Sequence, residues 1–341
     1  MNPLNIGIIG SGRAGLIHAR NFKKGIKNAR LHSLVDPVTE NLHHASQELD
    51  LDHAFDNYQD ALDDPELDAI IITSPTVFHK EITVQAAKNK KHVFCEKPMA
   101  MNADECREMV EACKDNGVIL QIGFMRRFDK NFTLAKERIM QGEIGDVVSV
   151  KSVTHGPSIP KPWMMDIKKS NGPLAEVNSH DIDTLRWFTE SEFSHVYAVA
   201  GNYRCKDKKD EFPDFYDNVL MNCSFENGMQ GLVDGAVSVN YGYDARAEIL
   251  GTKGIIFIGS MNASNTIVCT QKTGVAQPIV ESWRTLFLES YLQEDMEFVE
   301  AILEERPPRV TGKDGLEAVR VVNAGNRSIK ENRIVHLSEI K

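Results

Sequence analysis

The chain has 341 residues, of which 42% are hydrophobic and 26% are charged, a composition typical of a globular protein with room for two domains. A formal net charge of −10 argues against a nucleic-acid-binding surface, and no run of about 18 apolar residues predicts a membrane span. The amino-terminal residues lack a signal-peptide pattern, and the six cysteines form no Cys-x-x-Cys pair. We therefore expect a cytoplasmic protein with reduced cysteines, no metal, no nucleic-acid partner and no membrane association.

The first predicted element is an apolar strand, Leu4 to Ile9, that runs into a glycine-rich turn and then a helical pattern. Gly10 allows the tight turn, Gly12 lets the backbone approach a pyrophosphate, and Gly15 lets helix and strand pack closely. Strand, glycine turn and helix together predict a dinucleotide-binding site. The candidate cofactor contacts in this turn are Gly10, Ser11, Gly12, Arg13, Ala14 and Gly15.

The next predicted strand, Leu31 to Val35, ends in Asp36, which follows Gly15 by 21 positions. An acid at about this spacing accepts a hydrogen bond from the adenosine ribose and repels a 2′-phosphate. Residues 37 to 39 offer no arginine to hold such a phosphate. The sequence therefore predicts NAD in preference to NADP.

Two further strands, beginning near Asp68 and Val93, alternate with helices and predict a doubly wound parallel sheet. Their carboxyl ends should open onto the same edge as the glycine turn, where ligands bind. The second of these strands ends at Lys97, which Pro98 holds extended, so Lys97 is the first candidate for the chemistry. The other candidate cofactor contacts at this edge are Thr73, Ser74, Pro75, His79 and Glu96, together with Lys97 itself.

The strand and helix rhythm changes after Gly123, which divides the chain into a nucleotide-binding domain, residues 1–123, and a second domain, residues 124–341. Long segments of strand character with few intervening helices predict an α+β domain built on a large, mostly antiparallel open sheet. Such a sheet needs a cover on its solvent face. We expect the second domain to bind substrate and to form a homodimer or homotetramer through the sheet.

The richest segment of the second domain is residues 172–188, where apolar spacing predicts a helix. Glu176, His180 and Asp183 would lie on one face of that helix. A carboxylate beside an imidazole suits proton transfer. Two other readings stay open: a metal site, for which no further ligand has zinc-like spacing, and a capped helix whose histidine and glutamate merely pair.

Five motifs together resemble the glucose-fructose oxidoreductase, inositol dehydrogenase and MocA family. They are Gly10-x-Gly12-x-x-Gly15, Asp36, Glu96-Lys97-Pro98, the run 123–129 and His180-x-x-Asp183. The resemblance covers nearly the whole chain, and the run 123–129, His155 and the run 241–244 are most similar to inositol dehydrogenases. Those enzymes usually carry Asp where this chain has Glu176, and many relatives carry Gly where it has Asn178, which predicts a reshaped pocket floor.

The resemblance implies NAD-dependent hydride transfer between nicotinamide and a secondary alcohol of a sugar or cyclitol, an oxidoreductase activity in carbohydrate metabolism. The implied catalytic residues are Lys97, His180 and Glu176, with Lys97 and His180 on either side of the reacting hydroxyl and the proton acceptor left open between them. Alternatives are an NAD-dependent glycosidase of the same family that works by transient oxidation and elimination, and a non-catalytic NAD-binding regulator. Candidate substrate ligands are Lys97, Arg127, His155, Trp163, Glu176, Asn178, His180 and Tyr243.

Overall fold

The computed structural model describes residues 3–341 and divides into two compact units. Unit 1 comprises the chain up to Phe128 together with Leu288–Val319, and unit 2 comprises Asp129–Phe287 and Arg320–Lys341. None of the helices in residues 3–341 has both the length and the apolar character needed to cross a membrane.

The strands are β1 (Leu4–Ile9), β2 (Ala29–Val35), β3 (Ala54–Phe55), β4 (Ala69–Ile72), β5 (His92–Glu96), β6 (Leu120–Gly123), β7 (Val147–Gly156), β8 (Phe193–Gly201), β9 (Asn218–Phe225), β10 (Gln230–Val237), β11 (Asp244–Gly251), β12 (Ile255–Ile258), β13 (Val268–Thr270), β14 (Gly274–Ala276) and β15 (Val335–His336).

The helices are α1 (Arg13–Gly25), α2 (Thr39–Leu49), α3 (Tyr58–Leu62), α4 (His79–Lys88), α5 (Ala103–Asn116), α6 (Lys130–Met140), α7 (Pro162–Met165), α8 (Ile167–Ser170), α9 (Gly172–Glu176), α10 (Ser179–Thr189), α11 (Trp283–Leu286), α12 (Leu288–Leu303) and α13 (Gly312–Glu331). Short 3₁₀ turns cover Thr76–Phe78, Met125–Phe128, Lys206–Lys208 and Leu337–Glu339.

The sheet of unit 1 has, within the described residues, six strands in the order β3-β2-β1-β4-β5-β6, and each neighbouring pair is parallel. Its central strands are buried on both faces, which explains their continuous apolar sequence. The doubly wound parallel sheet predicted from the sequence is confirmed. Because all strands run the same way, Gly10, Asp36, Thr73 and Lys97 follow strand ends along one edge.

Residues Leu288–Val319 belong to unit 1, whereas the sequence prediction placed everything after residue 123 in a second domain. The physical reason is packing. Phe298, Val299 and Ile302 of α12 join the same buried cluster as Ile6 and Ile8 of β1. The core of the Rossmann unit therefore includes a helix from far along the chain, so this compact unit is discontinuous in sequence, and the domain division at residue 123 stays a prediction.

The large sheet of unit 2 has, among residues 3–341, seven strands in the order β12-β11-β7-β10-β9-β8-β15. Every neighbouring pair is antiparallel except β10 and β7, which run parallel. This confirms the predicted α+β domain with a mostly antiparallel sheet. One face of β7 packs against α10, and several large apolar side chains are exposed elsewhere on the sheet, including Val199, Leu220 and Phe257.

The single helix predicted over residues 172–188 is two helices. Helix α9 ends at Glu176, and the amides of Val177 and Asn178 both donate to the Pro173 carbonyl before α10 begins at Ser179. The prediction that Glu176 and His180 lie on one face of a single helix is therefore wrong, because the chain turns between them. His180 and Asp183 do lie on the same helix.

Candidate active site

The glycine turn of unit 1 has the shape that a dinucleotide needs. Gly10 has φ of 101°, a conformation that favours glycine, and a side chain at Gly15 would overlap the Gly10 carbonyl oxygen. At Gly12 a Cβ would meet no atom within 4 Å, and α1 begins at the next residue. Open space therefore lies directly against the amino-terminal turn of a helix, which fits a pyrophosphate.

Asp36 at the end of β2 is tied to this turn. Its Oδ2 accepts hydrogen bonds from the Ser11 amide and the Ser11 hydroxyl, both at 2.8 Å, and its Oδ1 accepts the Val38 amide at 2.9 Å. The carboxylate is 6% exposed. Asp36 thus places a fixed negative charge beside the glycine turn, at the position predicted to receive the ribose.

The residues after β4 connect the glycine turn to the end of β5. Thr73 donates its hydroxyl to the Gly10 carbonyl at 2.6 Å. The buried ring of His79 lies between two carbonyl oxygens, with Nε2 2.8 Å from Ser74 and Nδ1 2.9 Å from Pro98. His79, predicted as a cofactor contact, therefore links two neighbouring strand ends. Pro75 between them is exposed.

Glu96 is the last residue of β5 and Lys97 follows it, and the two side chains lie in different environments. Glu96 is 5% exposed, its Oε2 accepts the backbone amide of Lys97 at 3.0 Å, and its Oε1 lies 3.3 Å from Nε2 of His18. Lys97 is partly exposed. The strand thus ends in a carboxylate turned into the protein and a lysine at the edge where the cofactor was expected.

In unit 2, the first turn of α10 is fixed to β7 through Asp181. Its Oδ1 accepts the hydroxyls of Ser152 at 2.5 Å and Thr154 at 2.8 Å, and its Oδ2 accepts the Asn178 amide at 2.8 Å. These groups are all buried, so they determine where His180, the next residue back along the helix, is held. His180 itself is 6% exposed.

Asn178 is fully buried, and its side chain packs against the backbone of β10 at Gly235. A Cβ at Gly235 of β10 would overlap the Asn178 side chain, so glycine is needed there. Glu176, at the end of α9, is partly exposed. The two residues that distinguish this chain from its expected relatives therefore differ in exposure: Glu176 is partly exposed, whereas Asn178 is buried and donates to Asp181.

His155 lies on the opposite face of β7 from Ser152 and Thr154, since side chains alternate along a strand. Its Nε2 is 2.9 Å from Asp234 Oδ1, and its Nδ1 contacts the Tyr241 hydroxyl. Burial, with Asp244 nearby, raises the pKa of Tyr241 to about 12. The structure does not bring His155 to the face that carries α10.

Three other predicted substrate ligands, Arg127, Trp163 and Tyr243, lie on different elements of the two units. Arg127 in unit 1 donates to Asp314 Oδ1 at 3.0 Å, and Oδ2 of the same carboxylate accepts the amide and hydroxyl of Thr311. In unit 2, Tyr243 is buried, and Trp163 is partly exposed on the short helix α7. The role of each as a substrate ligand stays a prediction.

Two models of one protein family match this chain, one over its nucleotide-binding part and one over the part that follows. Residues 4–124 match the NAD-binding Rossmann fold of the Gfo/Idh/MocA oxidoreductase family, and residues 136–337 match the C-terminal alpha/beta domain of the same family. The chain belongs to this family. The resemblance inferred from the motifs is thereby confirmed, and the protein is an NAD-binding oxidoreductase.

Relatives within the Gfo/Idh/MocA family match over almost their whole length. The chain is 32% identical to a myo-inositol 2-dehydrogenase of Thermotoga maritima over 337 residues, covering 99% of each protein. It is 32% identical to a scyllo-inositol 2-dehydrogenase (NAD(+)) of Bacillus subtilis, covering 97% of this chain and 95% of the other. A crystal structure of scyllo-inositol dehydrogenase from Lactobacillus casei with bound NAD(H) and scyllo-inositol has a TM-score of 0.91 at 28% identity, covering 99% and 100%.

Two buried groups beside the family's Glu-Lys-Pro segment were missed by sequence reasoning. They are His18 of α1, which contacts Glu96, and Asp295 of α12, which contacts His18. His18 lies three residues after Gly15, and its place on the buried side of α1 could have been read from the helical spacing. Asp295 gave no local signal, because its partner is 277 positions away.

Proposed function

We propose that this protein is an NAD-dependent dehydrogenase that oxidises a secondary alcohol of an inositol-like cyclitol or a sugar. The observation that carries the proposal is the shared edge of unit 1, where the glycine turn, Asp36 and Lys97 follow the ends of β1, β2 and β5. The full-length similarity to inositol dehydrogenases supports a cyclitol as the substrate class.

NAD, when bound, supplies the nicotinamide that accepts the hydride. The amides at the start of α1 and the open space at Gly12 would hold the pyrophosphate, and Asp36 would accept the ribose hydroxyls. The Asp36 carboxylate would repel the 2′-phosphate of NADP. A preference for NAD is therefore part of the proposal.

Lys97 and His180 handle the proton of the reacting hydroxyl in this proposal, with Glu176 as the third catalytic residue. When the alcohol carbon gives up hydride, its hydroxyl must lose a proton as the carbonyl forms, so one of the two nitrogen bases accepts that proton and the other orients the oxygen by hydrogen bonding. Both assignments are compatible with the chemistry. Glu176, being partly exposed, can contact a substrate hydroxyl or an imidazolium.

The remaining candidate substrate ligands differ in exposure and in hydrogen-bond partners. Trp163 and Glu176 are partly exposed and can contact a polyol directly, since a ring face packs on C–H groups and a carboxylate accepts hydroxyls. We propose that Asn178 and Arg127 act through their neighbours, because Asn178 donates to Asp181 and Arg127 to Asp314. His155 and Tyr243 complete the candidate set.

Association through the sheet of unit 2 is also proposed. Val199 and Leu220 are exposed at 47% and 40% and are paired across β8 and β9. An antiparallel sheet with exposed apolar side chains is stabilised when a second copy covers it, so we propose a homodimer or homotetramer. Placement of the protein in the cytoplasm stays a prediction from the sequence.

The test is a substrate screen with purified protein. Myo-inositol, scyllo-inositol, other cyclitols and aldoses are each offered with NAD and with NADP, and formation of reduced nicotinamide is followed by absorbance at alkaline and neutral pH. The proposal expects turnover with at least one cyclitol and a higher kcat/KM with NAD. Absence of reduced nicotinamide with every polyol and sugar would overturn it.

Nitrophenyl glycosides are included in the same screen because they separate the alternatives. Release of nitrophenol without net formation of reduced nicotinamide would identify the glycosidase instead. Tight NAD binding by calorimetry with no turnover of any compound would identify a regulator.

A further inference from the structure

A buried chain of charged side chains lies beneath the end of β5 in unit 1. Asp295 Oδ1 of α12 is 2.6 Å from His18 Nδ1, and His18 Nε2 of α1 is 3.3 Å from Glu96 Oε1. Asn21 donates to the other oxygen of Asp295 at 2.8 Å. His18 and Asp295 are 0% exposed, and Glu96 is 5% exposed.

The imidazole of His18 is positioned to donate from both ring nitrogens, since a carboxylate faces each of them. Burial alone would lower the pKa of His18, but Asp295 and then Glu96 outweigh it and raise that pKa well above its ordinary value. A charged ring can bond both acids at once. The doubly donating form is therefore the one that the geometry selects.

The chain reaches Lys97 through Glu96. The Glu96 oxygen that does not face His18 accepts the Lys97 backbone amide at 3.0 Å. Gly123 of β6 makes room for this arrangement, because a Cβ there would stand 3.0 Å from the Glu96 carboxyl carbon and 3.1 Å from Oε2. The position of the Lys97 peptide thus depends on a carboxylate that His18 holds from the other side.

We propose that His18 and Asp295 are positioning residues for Lys97, acting through Glu96 to fix the lysine at the end of β5. The inference rests on the proposed function, because a fixed Lys97 serves to take the hydroxyl proton of the polyol, or to orient that hydroxyl, as hydride passes to NAD. His18 is 0% exposed, so it acts through Glu96 and not by contact with substrate. It holds a carboxylate that would otherwise be free to leave the Lys97 amide, and Asp295 in turn holds the ring.

A packing role for His18 is the competing explanation. The ring lies edge-on to Phe94 and to Tyr291, with centroid distances of 5.1 and 5.5 Å. Phenylalanine in place of His18 would preserve aromatic contacts and volume but remove both hydrogen bonds. Glutamine would keep a donor for Glu96. The two substitutions therefore separate hydrogen bonding from packing.

A metal ion is the second competitor, because one ligand atom each from His18, Glu96 and Glu294 lies within 4.8 Å of the others. Metal analysis of the purified wild-type protein decides between them. The positioning proposal expects no stoichiometric divalent metal in the purified protein by mass spectrometry. One equivalent that is lost in His18→Phe would overturn it.

The experiment compares wild-type protein with His18→Gln, His18→Phe and Asp295→Asn. The matched control is His32→Gln, which removes another buried histidine of unit 1 that pairs with an acid, Asp64, at 2.8 Å. Two readouts are taken for each folded variant: kcat and KM with NAD and the active polyol, and the rate at which Lys97 is reductively methylated relative to Lys90, followed by peptide mass spectrometry.

The proposal expects kcat to fall about tenfold in His18→Gln and about 100-fold in His18→Phe, as positioning effects do, with KM for NAD within about threefold. Lys97 methylation should change at least about twofold in His18→Phe and not in His32→Gln. Equal activity of His18→Phe and wild type, or unchanged Lys97 reactivity in all variants, would contradict it. The methylation readout needs no turnover, so it stays informative even if the screen finds no polyol substrate.

Discussion

His18 Nδ1 lies 2.6 Å from Asp295 Oδ1 inside unit 1, although 277 positions separate the two residues. The contact ties the first helix after the glycine turn to α12, a helix that follows nearly all of unit 2 in the sequence. The nucleotide-binding unit is therefore completed by a late segment of the chain. Glu294, the neighbour of Asp295, brings a further acid to the same interior.

The free energy of unfolding should fall as pH rises, and Glu294→Gln should reduce that fall. Both Glu294 carboxylate oxygens are buried and, among the described residues, have no hydrogen-bond partner. Burial first, and then Glu96, raises the pKa of Glu294 well above its ordinary value, despite a smaller opposing effect of His18. The folded protein thus retains a proton that the unfolded chain releases above about pH 4.5.

The contribution of Glu294 to the free energy of unfolding is fully present below about pH 4.5. Between that pH and the raised pKa of Glu294, it declines by up to about 1.4 kcal/mol per pH unit. Urea unfolding from pH 5 to pH 8 should therefore show Glu294→Gln gaining on wild type as pH rises. The pKa of His18 is also raised, by Asp295 and Glu96. His18 therefore also lowers the free energy of unfolding as pH rises, in wild type and in Glu294→Gln alike. Glu289→Gln, an exposed position on α12, is the control and should parallel wild type. A constant difference between Glu294→Gln and wild type would contradict the assignment.

Two glycines of the turn should respond to alanine in opposite ways. Gly15→Ala would drive a methyl group into the Gly10 carbonyl oxygen and should lower the free energy of unfolding by about 2 to 4 kcal/mol. Gly12→Ala meets no protein atom within 4 Å and should leave stability within about 0.5 kcal/mol. Its methyl group instead occupies the space proposed for the pyrophosphate.

Calorimetry should then show NAD affinity at least tenfold weaker in Gly12→Ala than in wild type, with urea unfolding unchanged. Normal NAD binding by Gly12→Ala would place the pyrophosphate elsewhere.

Cofactor choice should depend on the Asp36 charge. Asp36→Asn keeps the size of the side chain but removes the negative charge beside the Ser11 amide. We expect the ratio of kcat/KM for NAD to that for NADP to fall at least tenfold, a change of about 1.4 kcal/mol. KM for the polyol serves as the control and should stay within about twofold. A ratio that does not move would show that another group rejects the 2′-phosphate.

Much of unit 1 was predictable from local sequence, and the reasons are local. The buried parallel strands are continuous apolar runs, the turn needs glycine at Gly10, and Gly117 ends α5 in the left-handed conformation, with φ of 67°. Each of these features depends on neighbours along the chain. The helix break at Asn178 depends instead on contacts in three dimensions. The Asn178 side chain donates to Asp181, and it fits only because Gly235 has no side chain.

The candidate site divides in the same way. Lys97 and Asp36 were found because strand ends of a parallel sheet have a known geometry, whereas Asp295 and α12 were missed because their partners are distant in sequence. Arg127 shows the converse problem. A basic residue in a family motif was expected to bind substrate, and its contact with the carboxylate of Asp314 could be recognised only in three dimensions.

In the proposed reaction hydride passes from the polyol carbon to NAD while the hydroxyl proton passes to a protein base, and Lys97 either takes that proton or orients the hydroxyl. Turnover of Lys97→Ala at saturating NAD and polyol measures this role. Lys90→Ala, an exposed lysine before the same strand, is the control. We expect a kcat at least about 100-fold below wild type in Lys97→Ala, with NAD affinity within about threefold, and an unchanged kcat in Lys90→Ala. A kcat of Lys97→Ala within about threefold of wild type would exclude Lys97 from the reaction.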